Sequence, residues 1–365
     1  MSASTISAFL APHTPNGREE AWRFTPLNRL KGLHQADILA TDELHIIASL
    51  AGSATFEELS PDDPRVAFSS HSDDAVVLNA RTKASFVSHL SVPKNEDIAT
   101  PIRLVRTGSD GAISLSRTVI EVGNNSRATI IMEHFGNSTL GEDLEIRVGE
   151  GADLTLISTQ EWDDEAVHIS AQTAFLDRDA RFTSIVVSLG GSVVRISPRV
   201  DFVGPGGFCE LLGLYFATAG QHLEHRLHVE HGQPNCRSRV TYKGAVSGYN
   251  SRSVWIGDVA IRPNAEGTDT YELNRNLLLT DGARADSVPN LEIETGEIIG
   301  AGHASATGRF DDEQLFYLQS RGIPQAQARL LVVRGFFAEL LARIKDEATR
   351  ERLALAIETD LEEAE

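Results

Sequence analysis

The stretch that decides the fold is VVRISPRVDFVGPGG, residues 193–207. Apolar side chains at Val194, Ile196 and Val200 alternate in it with polar ones such as Arg195. Because successive side chains of a strand point to opposite faces, this alternation predicts a strand with one buried face and one wet face. The stretch ends in Gly-Pro-Gly-Gly, a sequence typical of a turn.

Similar turns recur on either side of this one at a nearly constant spacing. The first series has centres 27 residues apart, at Asn124, Gly151, Arg178, Pro205 and Gly232. The second has gaps of 27, 27, 29 and 28 residues, at Asn137, Asp164, Gly191, Gly220 and Gly248. A fixed period of roughly 20–50 residues is typical of solenoids. Two turns per repeat predict stacked β-coils, whereas a β-sandwich has no reason to keep this register.

The pattern divides the chain into three parts. Residues 1–110 form an N-terminal mixed helical region, residues 111–308 the β-helix core, and residues 309–365 a C-terminal helical region. In the last part, apolar residues recur at spacings of three and four, as on one face of a helix: Leu330, Val333, Phe337, Leu340, Leu341 and Ile344. The predicted fold class is mainly β, a right-handed parallel β-helix flanked by a mixed α/β region and a helical region.

Charge and cysteine content narrow the partners and the compartment. The 365 residues carry a net charge of −19, which a nucleic acid duplex or an anionic membrane would repel. Two cysteines do not make a disulfide framework, so a reducing cytosol fits. We find neither a signal peptide nor an apolar run of the ~18 residues that span a bilayer. We therefore expect a cytoplasmic protein.

Four histidines recur at every third position: His222, His225, His228 and His231. On a helix, this spacing could gather metal ligands. The neighbouring alternation predicts a strand instead, in which His225 and His231 face one way and His222 and His228 the other. We therefore expect surface and turn histidines rather than a metal site.

Cys209 and Cys236 are 27 residues apart, one solenoid period. The spacing predicts that they stack on adjacent coils as small core residues. A redox pair or a soft-metal site is the alternative, but thiolates bind metals only where they are accessible and deprotonated.

The sequence carries no common catalytic or nucleotide-binding motif. We find no G-x-x-x-x-G-K-[ST] loop, no G-x-G-x-x-G between a strand and a helix, and no G-x-S-x-G elbow. The exception to this plainness is IGAGHASATG at residues 299–308, where His303 stands alone among small residues. Small residues let another chain approach closely, and neutral imidazole is a ligand suited to iron and zinc.

Several motifs, in order, resemble the C-terminal region of the SufB/SufD family of iron–sulfur cluster assembly scaffolds. They are SRSVWIG (251–257), NRNLLLTD (274–281), PNLEI (289–293), GHASATG (302–308) and EQLFYLQSRGI (313–323). His231, Pro234, Ser238 and Lys243 also fit the family pattern, and EAWRFTP (20–26) is similar to a motif of the SufD branch.

This resemblance implies a β-helix core and a non-enzymatic role in the SUF iron–sulfur cluster assembly complex. The implied partners are a SufB-like paralogue and a SufC-like ABC ATPase, and the isolated chain could pair with a second copy of itself. The family's histidine at the junction of the two scaffolds falls on His303, which implies a metal ligand for a nascent cluster shared with the paralogue. The family's cysteine position is Ala301 here. The resemblance thus implies a supporting subunit without a stably bound cofactor of its own.

Two surfaces are expected to meet these partners. Coils near Leu291 and Ile293 lie closest to the C-terminal end of the core and could pair with the paralogue by strand addition. The C-terminal helices would present apolar residues to the ATPase, although at least half of them should pack within the chain: Phe316, Tyr317, Phe336 and Leu340.

Two other functions remain open from the residues. A β-helix polysaccharide lyase or hydrolase would be expected to have an export signal and to group carboxylates or basic residues on one outward strand face, and neither is apparent. A β-solenoid adaptor with no ligand is the second alternative.

Overall fold

The structure, a computed structural model, describes residues 13–68, 72–309 and 312–363. These residues form a parallel β-solenoid of about 8 turns with helical parts before and after it. The predicted fold class, a mainly β solenoid flanked by helical regions, is confirmed.

The strands belong to two nine-stranded sheets. Sheet A has the order β1-β4-β6-β8-β10-β12-β14-β16-β18, and sheet B the order β17-β15-β13-β11-β9-β7-β5-β3-β2. The bounds of the strands are β1 His45–Ser49, β2 Thr55–Leu59, β3 Val87–Val92, β4 Ile102–Gly108, β5 Ile113–Val122, β6 Arg127–Gly136, β7 Thr139–Val148, β8 Asp153–Trp162, β9 Val167–Leu176, β10 Arg181–Ser188, β11 Val193–Phe202, β12 Phe208–Ala217, β13 His222–His231, β14 Arg237–Val246, β15 Arg252–Ile261, β16 Asp269–Leu278, β17 Arg284–Ile293 and β18 Gly300–Arg309.

Each coil adds one strand to each sheet, in parallel register with the coil before it. Ile185, for example, pairs with Ile157 on one side and Leu212 on the other. Parallel pairing begins at β3 and β4, so the coils start before residue 111. The division into three domains itself stays a prediction.

The turns stack as well as the strands, and both predicted turn series fall between strands as expected. In the first series the turn residues with positive φ donate their backbone N–H to the carbonyl of the next turn, as Gly151 does to Arg178 at 2.9 Å and Asp179 to Pro205 at 2.9 Å. Glycine, asparagine and aspartate tolerate this left-handed conformation, which is why they mark the period in the sequence.

Both sheets are covered on their outer faces. The N-terminal segment and helix α1 (Ala75–Lys83) lie on sheet B, where Trp22 packs against Val167 and Val193. The expectation of one wet face is therefore wrong at Arg195, which is buried beneath this segment. Its guanidinium lies 4.2 Å from the ring centre of Trp22 and 2.9 Å from Asp74 Oδ2.

The C-terminal helices cover sheet A. Helices α2 (Asp312–Ser320), α3 (Gln325–Leu341) and α4 (Glu347–Glu363) follow the last strand. Val333, Phe337, Leu340 and Leu353 pack into one apolar cluster with outward side chains of β6, β8, β10 and β12. Charged contacts hold the helices to the sheet, for example Arg352 of α4 with Glu133 of β6.

The two ends of the solenoid differ. At the N-terminal end, which we call the closed end, the five-residue strands β1 and β2 run antiparallel to β4 and β3 and close both sheets. At the other end, the open end, β17 and β18 are ten residues long, and no further strand pairs with them among the residues that the structure describes. Short, charged strands blunt an edge, whereas long unpaired edges template pairing with another chain.

Candidate functional site at the open end of the solenoid

His303 lies on the last strand of sheet A, beside Glu272 of β16. Partners in a parallel pair point to the same face of the sheet, and Glu272 points into the solenoid. An added Cβ at Gly257, on the opposite sheet, would lie 2.8 Å from Glu272 Oε1. His303 therefore lies on the inner wall of the last coil. It is exposed because no strand of the described chain stacks beyond it.

The inner wall at the open end is polar. Ser305 Oγ of β18 donates a hydrogen bond to Ser287 Oγ of β17 at 2.7 Å, which links the two sheets across the last coil. One coil deeper, Tyr215 Oη donates to Asn276 Oδ1 at 2.6 Å. The solenoid therefore ends in a polar surface that water or a partner's polar groups can cover.

Glu272 is the unusual group of this end. Its side chain is buried, at 1 % exposure, and neither carboxylate oxygen has a hydrogen-bond partner. Burial, with a smaller contribution from the charge of Asp258, raises the pKa of Glu272 to about 8. An unpaired buried carboxylate is costly, so this position invites a compensating group.

The cysteines lie away from this end. Cys209 is in β12 and Cys236 directly precedes β14, and both are core residues of the solenoid. Burial raises the pKa of both thiols, which disfavours the thiolate that a metal needs. Their location supports the interpretation as core residues on adjacent coils. At the open end, Ala301 is half-buried against the core.

The four spaced histidines divide as the strand pattern predicts. His225 and His231 point into the solenoid, where their Nε2 atoms contact Ser188 Oγ at 3.0 Å and Ser238 Oγ at 2.9 Å. His222 and His228 lie on the other face, beside Glu224 and Glu230. The expectation of surface histidines is wrong for all but His228, because the outer face is covered by the N-terminal segment and the inner face is core.

A deeper group, His134, Glu142 and His168, brings three possible ligand atoms within 4.8 Å of one another. Trp162 Nε1 donates to His168 Nδ1 at 3.2 Å, which leaves the proton of this neutral ring on Nε2, facing Glu142. Glu142 also pairs with Arg106. Hydrogen bonds and an ion pair therefore satisfy this cluster without a metal.

The predicted partner-contact residues are not equally available. Ile293 is exposed at the edge of β17 and Leu291 is half-buried beside it; Phe316 and Tyr317 are exposed on α2. Phe336 is half-buried against sheet A, 5.6 Å from Lys243 Nζ. The expectation that Leu340 faces a partner is wrong, since it is 3 % exposed inside the cluster between α3, α4 and the sheet.

Glu272 was missed by sequence reasoning. In TYELNRNLL (270–278) the leucines suggest an apolar inner face, with Glu272 among residues of the other face. The structure has the reverse arrangement: Leu277 packs outward toward the C-terminal helices, and the polar set faces inward. The signal that could have revealed it is the in-register spacing to His303.

Stacked coils, a closed end and an open end with an exposed imidazole define a β-solenoid assembly protein whose fold is completed by another chain. The chain belongs to the SufBD family of iron–sulfur cluster assembly proteins, because residues 105–336 match the family described as "SUF system FeS cluster assembly, SufBD core domain".

Similar proteins cover nearly the whole chain. An iron–sulfur cluster assembly SufBD family protein of Mycobacterium tuberculosis is 48% identical over 98% of this chain and 91% of its own length. A Mycobacterium leprae protein of the same description is 49% identical over 95% and 90%. The Escherichia coli iron–sulfur cluster assembly protein SufD is 27% identical over 96% and 90%.

Membrane insertion through helices finds no support. Within the described ranges, no helix has the length and apolar character that crossing a bilayer requires.

Proposed function

We propose that this chain is the SufD-type, non-enzymatic scaffold subunit of a cytoplasmic iron–sulfur cluster assembly complex. Its open end pairs with a SufB-like paralogue, and its C-terminal helices contact a SufC-like ATPase. His303 donates one ligand to a transient cluster, the cargo of the complex, while the paralogue supplies the others.

The observation that carries this proposal is the exposed imidazole of His303 on an unpaired terminal strand. The long edges of β17 and β18 offer backbone groups to a partner's coil, and the half-exposed Ile293 adds apolar contact. Pairing there would bury His303 at the seam. Because Ala301 replaces a possible thiolate, a shared ligand set is required.

The C-terminal helices are the proposed contact with the ATPase. Phe316 and Tyr317 are 72% and 56% exposed on α2, more than a helix normally leaves of large apolar side chains. Helices α3 and α4 use their own apolar faces on sheet A and hold α2 near the solenoid. A partner that closes on ATP binding could thereby act on the scaffold.

His303→Ala is expected to leave the complex assembled but to impair cluster maturation. Even outer-shell partners of metal ligands contribute roughly 10–100-fold to affinity, so loss of a direct ligand should lower cluster formation by at least about tenfold. The measurement is the activity of iron–sulfur enzymes in cells that depend on this pathway.

His45→Ala is the matched control, because His45 is an exposed histidine on β1 at the closed end. It should have no effect. Normal maturation in the His303→Ala strain would refute the ligand role. Two other functions predict different purifications: a lyase would be isolated without an ATPase, and a ligand-free adaptor would leave cluster absorbance of the complex unchanged when omitted.

A further inference from the structure

We propose that Glu272 is a second iron ligand of this chain, and that Glu272 and His303 together bind one Fe²⁺ on the inner wall of the open end. This inference rests on the proposed function for the role of the iron but not for its binding. It assigns the chain an iron-loading site that the isolated subunit possesses before any partner arrives.

The first argument is the isolation of Glu272 among buried acids. Every other carboxylate that is buried in the described parts of the chain has an arginine or histidine within ion-pair distance: Glu133, Glu142, Asp143, Glu145 and Glu224. Glu272 has no such pair, and both its oxygens lack hydrogen bonds. Folding leaves carboxylates in this state only at a high free-energy cost, which a bound cation would offset.

The second argument is register. Glu272 and His303 are direct partners in the β16–β18 ladder, so their side chains leave the sheet side by side from strands about 4.8 Å apart. Two ligand atoms that share an ion through bonds of about 2 Å lie within roughly 4 Å of each other. Adjacent rungs of one parallel ladder satisfy that requirement without backbone movement.

The third argument is ligand type and access. Carboxylate with imidazole is a ligand pair that suits Fe²⁺, which also keeps open positions in such sites. His303 is exposed, so an ion can enter from the open end. The remaining positions would take water in the isolated chain, and sulfide or the paralogue's ligands in the complex.

The test uses the full isolated chain under anaerobic conditions, titrated with Co²⁺ as a spectroscopic probe and then with Fe²⁺. The parent protein is expected to bind one ion per chain with visible ligand-field bands. Glu272→Gln and His303→Ala should each weaken binding by at least about tenfold. Glu297→Gln, an exposed turn acid at the same end, is the control and should bind as the parent does.

Thermal unfolding separates lost binding from lost structure. Glu272→Gln removes a buried charge without changing the shape of the side chain, so its metal-free midpoint should equal or exceed that of the parent. Added Fe²⁺ should raise the parent midpoint but not that of the variant. Binding unchanged by Glu272→Gln, or no binding by the parent protein, would overturn the inference and leave a neutral carboxylic acid at this position.

The outcome is separable from that of the proposed function. Loss of ion binding in Glu272→Gln together with normal maturation in His303→Ala cells would keep the site and reject its role. The opposite pair of results would keep the role of His303 and reject Glu272 as its partner.

Discussion

Arg106→Met is expected to destabilise the fold by about 3–5 kcal/mol, because it leaves the carboxylate of Glu142 buried without its charge partner. Both side chains are fully buried inside the solenoid, where Arg106 also donates to Thr118 Oγ1 at 2.6 Å. Burial alone would raise the pKa of Glu142, but Arg106 and the neighbouring His168 hold it well below its usual value. The carboxylate therefore stays charged and depends on the guanidinium.

Unfolding by urea, monitored by circular dichroism, measures this loss. The double variant Arg106→Met/Glu142→Gln should recover much of the stability, since removing both charges also removes the desolvation cost. Arg178→Met is the matched control: its pair with Glu150 is on the surface, and its loss should cost at most about 1 kcal/mol. A single Arg106→Met variant as stable as the parent would contradict the ion-pair account of this cluster.

Lowering the pH from 7 to 5 is expected to remove several kcal/mol of stability. Burial lowers the pKa of His134 and His225 to about 3, and that of His231 to about 4. In the unfolded chain each titrates near 6.5. Between these values the unfolded state binds protons that the folded state refuses. Stability is therefore complete above about pH 6.5 and falls by up to about 1.4 kcal/mol per pH unit for each histidine.

The free energy of unfolding at a series of pH values checks this slope. His225→Gln should flatten it by about one histidine's share, whereas His45→Gln, which replaces an exposed histidine, should leave it unchanged. A stability that is level from pH 7 to 5 would show that these rings accept protons in the folded state.

The architecture was predictable because its turns carry a chemical signature. Positions such as Gly151, Gly206 and Gly220 need a left-handed backbone, and only a few residue types adopt it readily. The 27-residue recurrence of these types thus reports the length of a coil. The antiparallel strands of the closed end carry no such recurrence, and sequence analysis placed them in a mixed region.

Side-chain direction was less predictable, because the solenoid is buried on both faces. Alternation reveals a strand but not its inner face when helices cover the outer one, so Leu277 and Arg195 were each attributed to the wrong environment. The position of His303 followed from motif resemblance. Its pairing with Glu272 depends on a register between strands 31 residues apart, which local pattern does not determine.

The central claim is that the open end, and not the closed end, meets the sister scaffold. A photo-crosslinking residue at Ile293 on β17 tests it against the same residue at Ile47 on β1, since the two positions are similarly exposed, at 46% and 52%. In the purified complex with the paralogue and the ATPase, we expect crosslinks to the paralogue from position 293 and none from position 47. Crosslinks from position 47 alone would contradict the account.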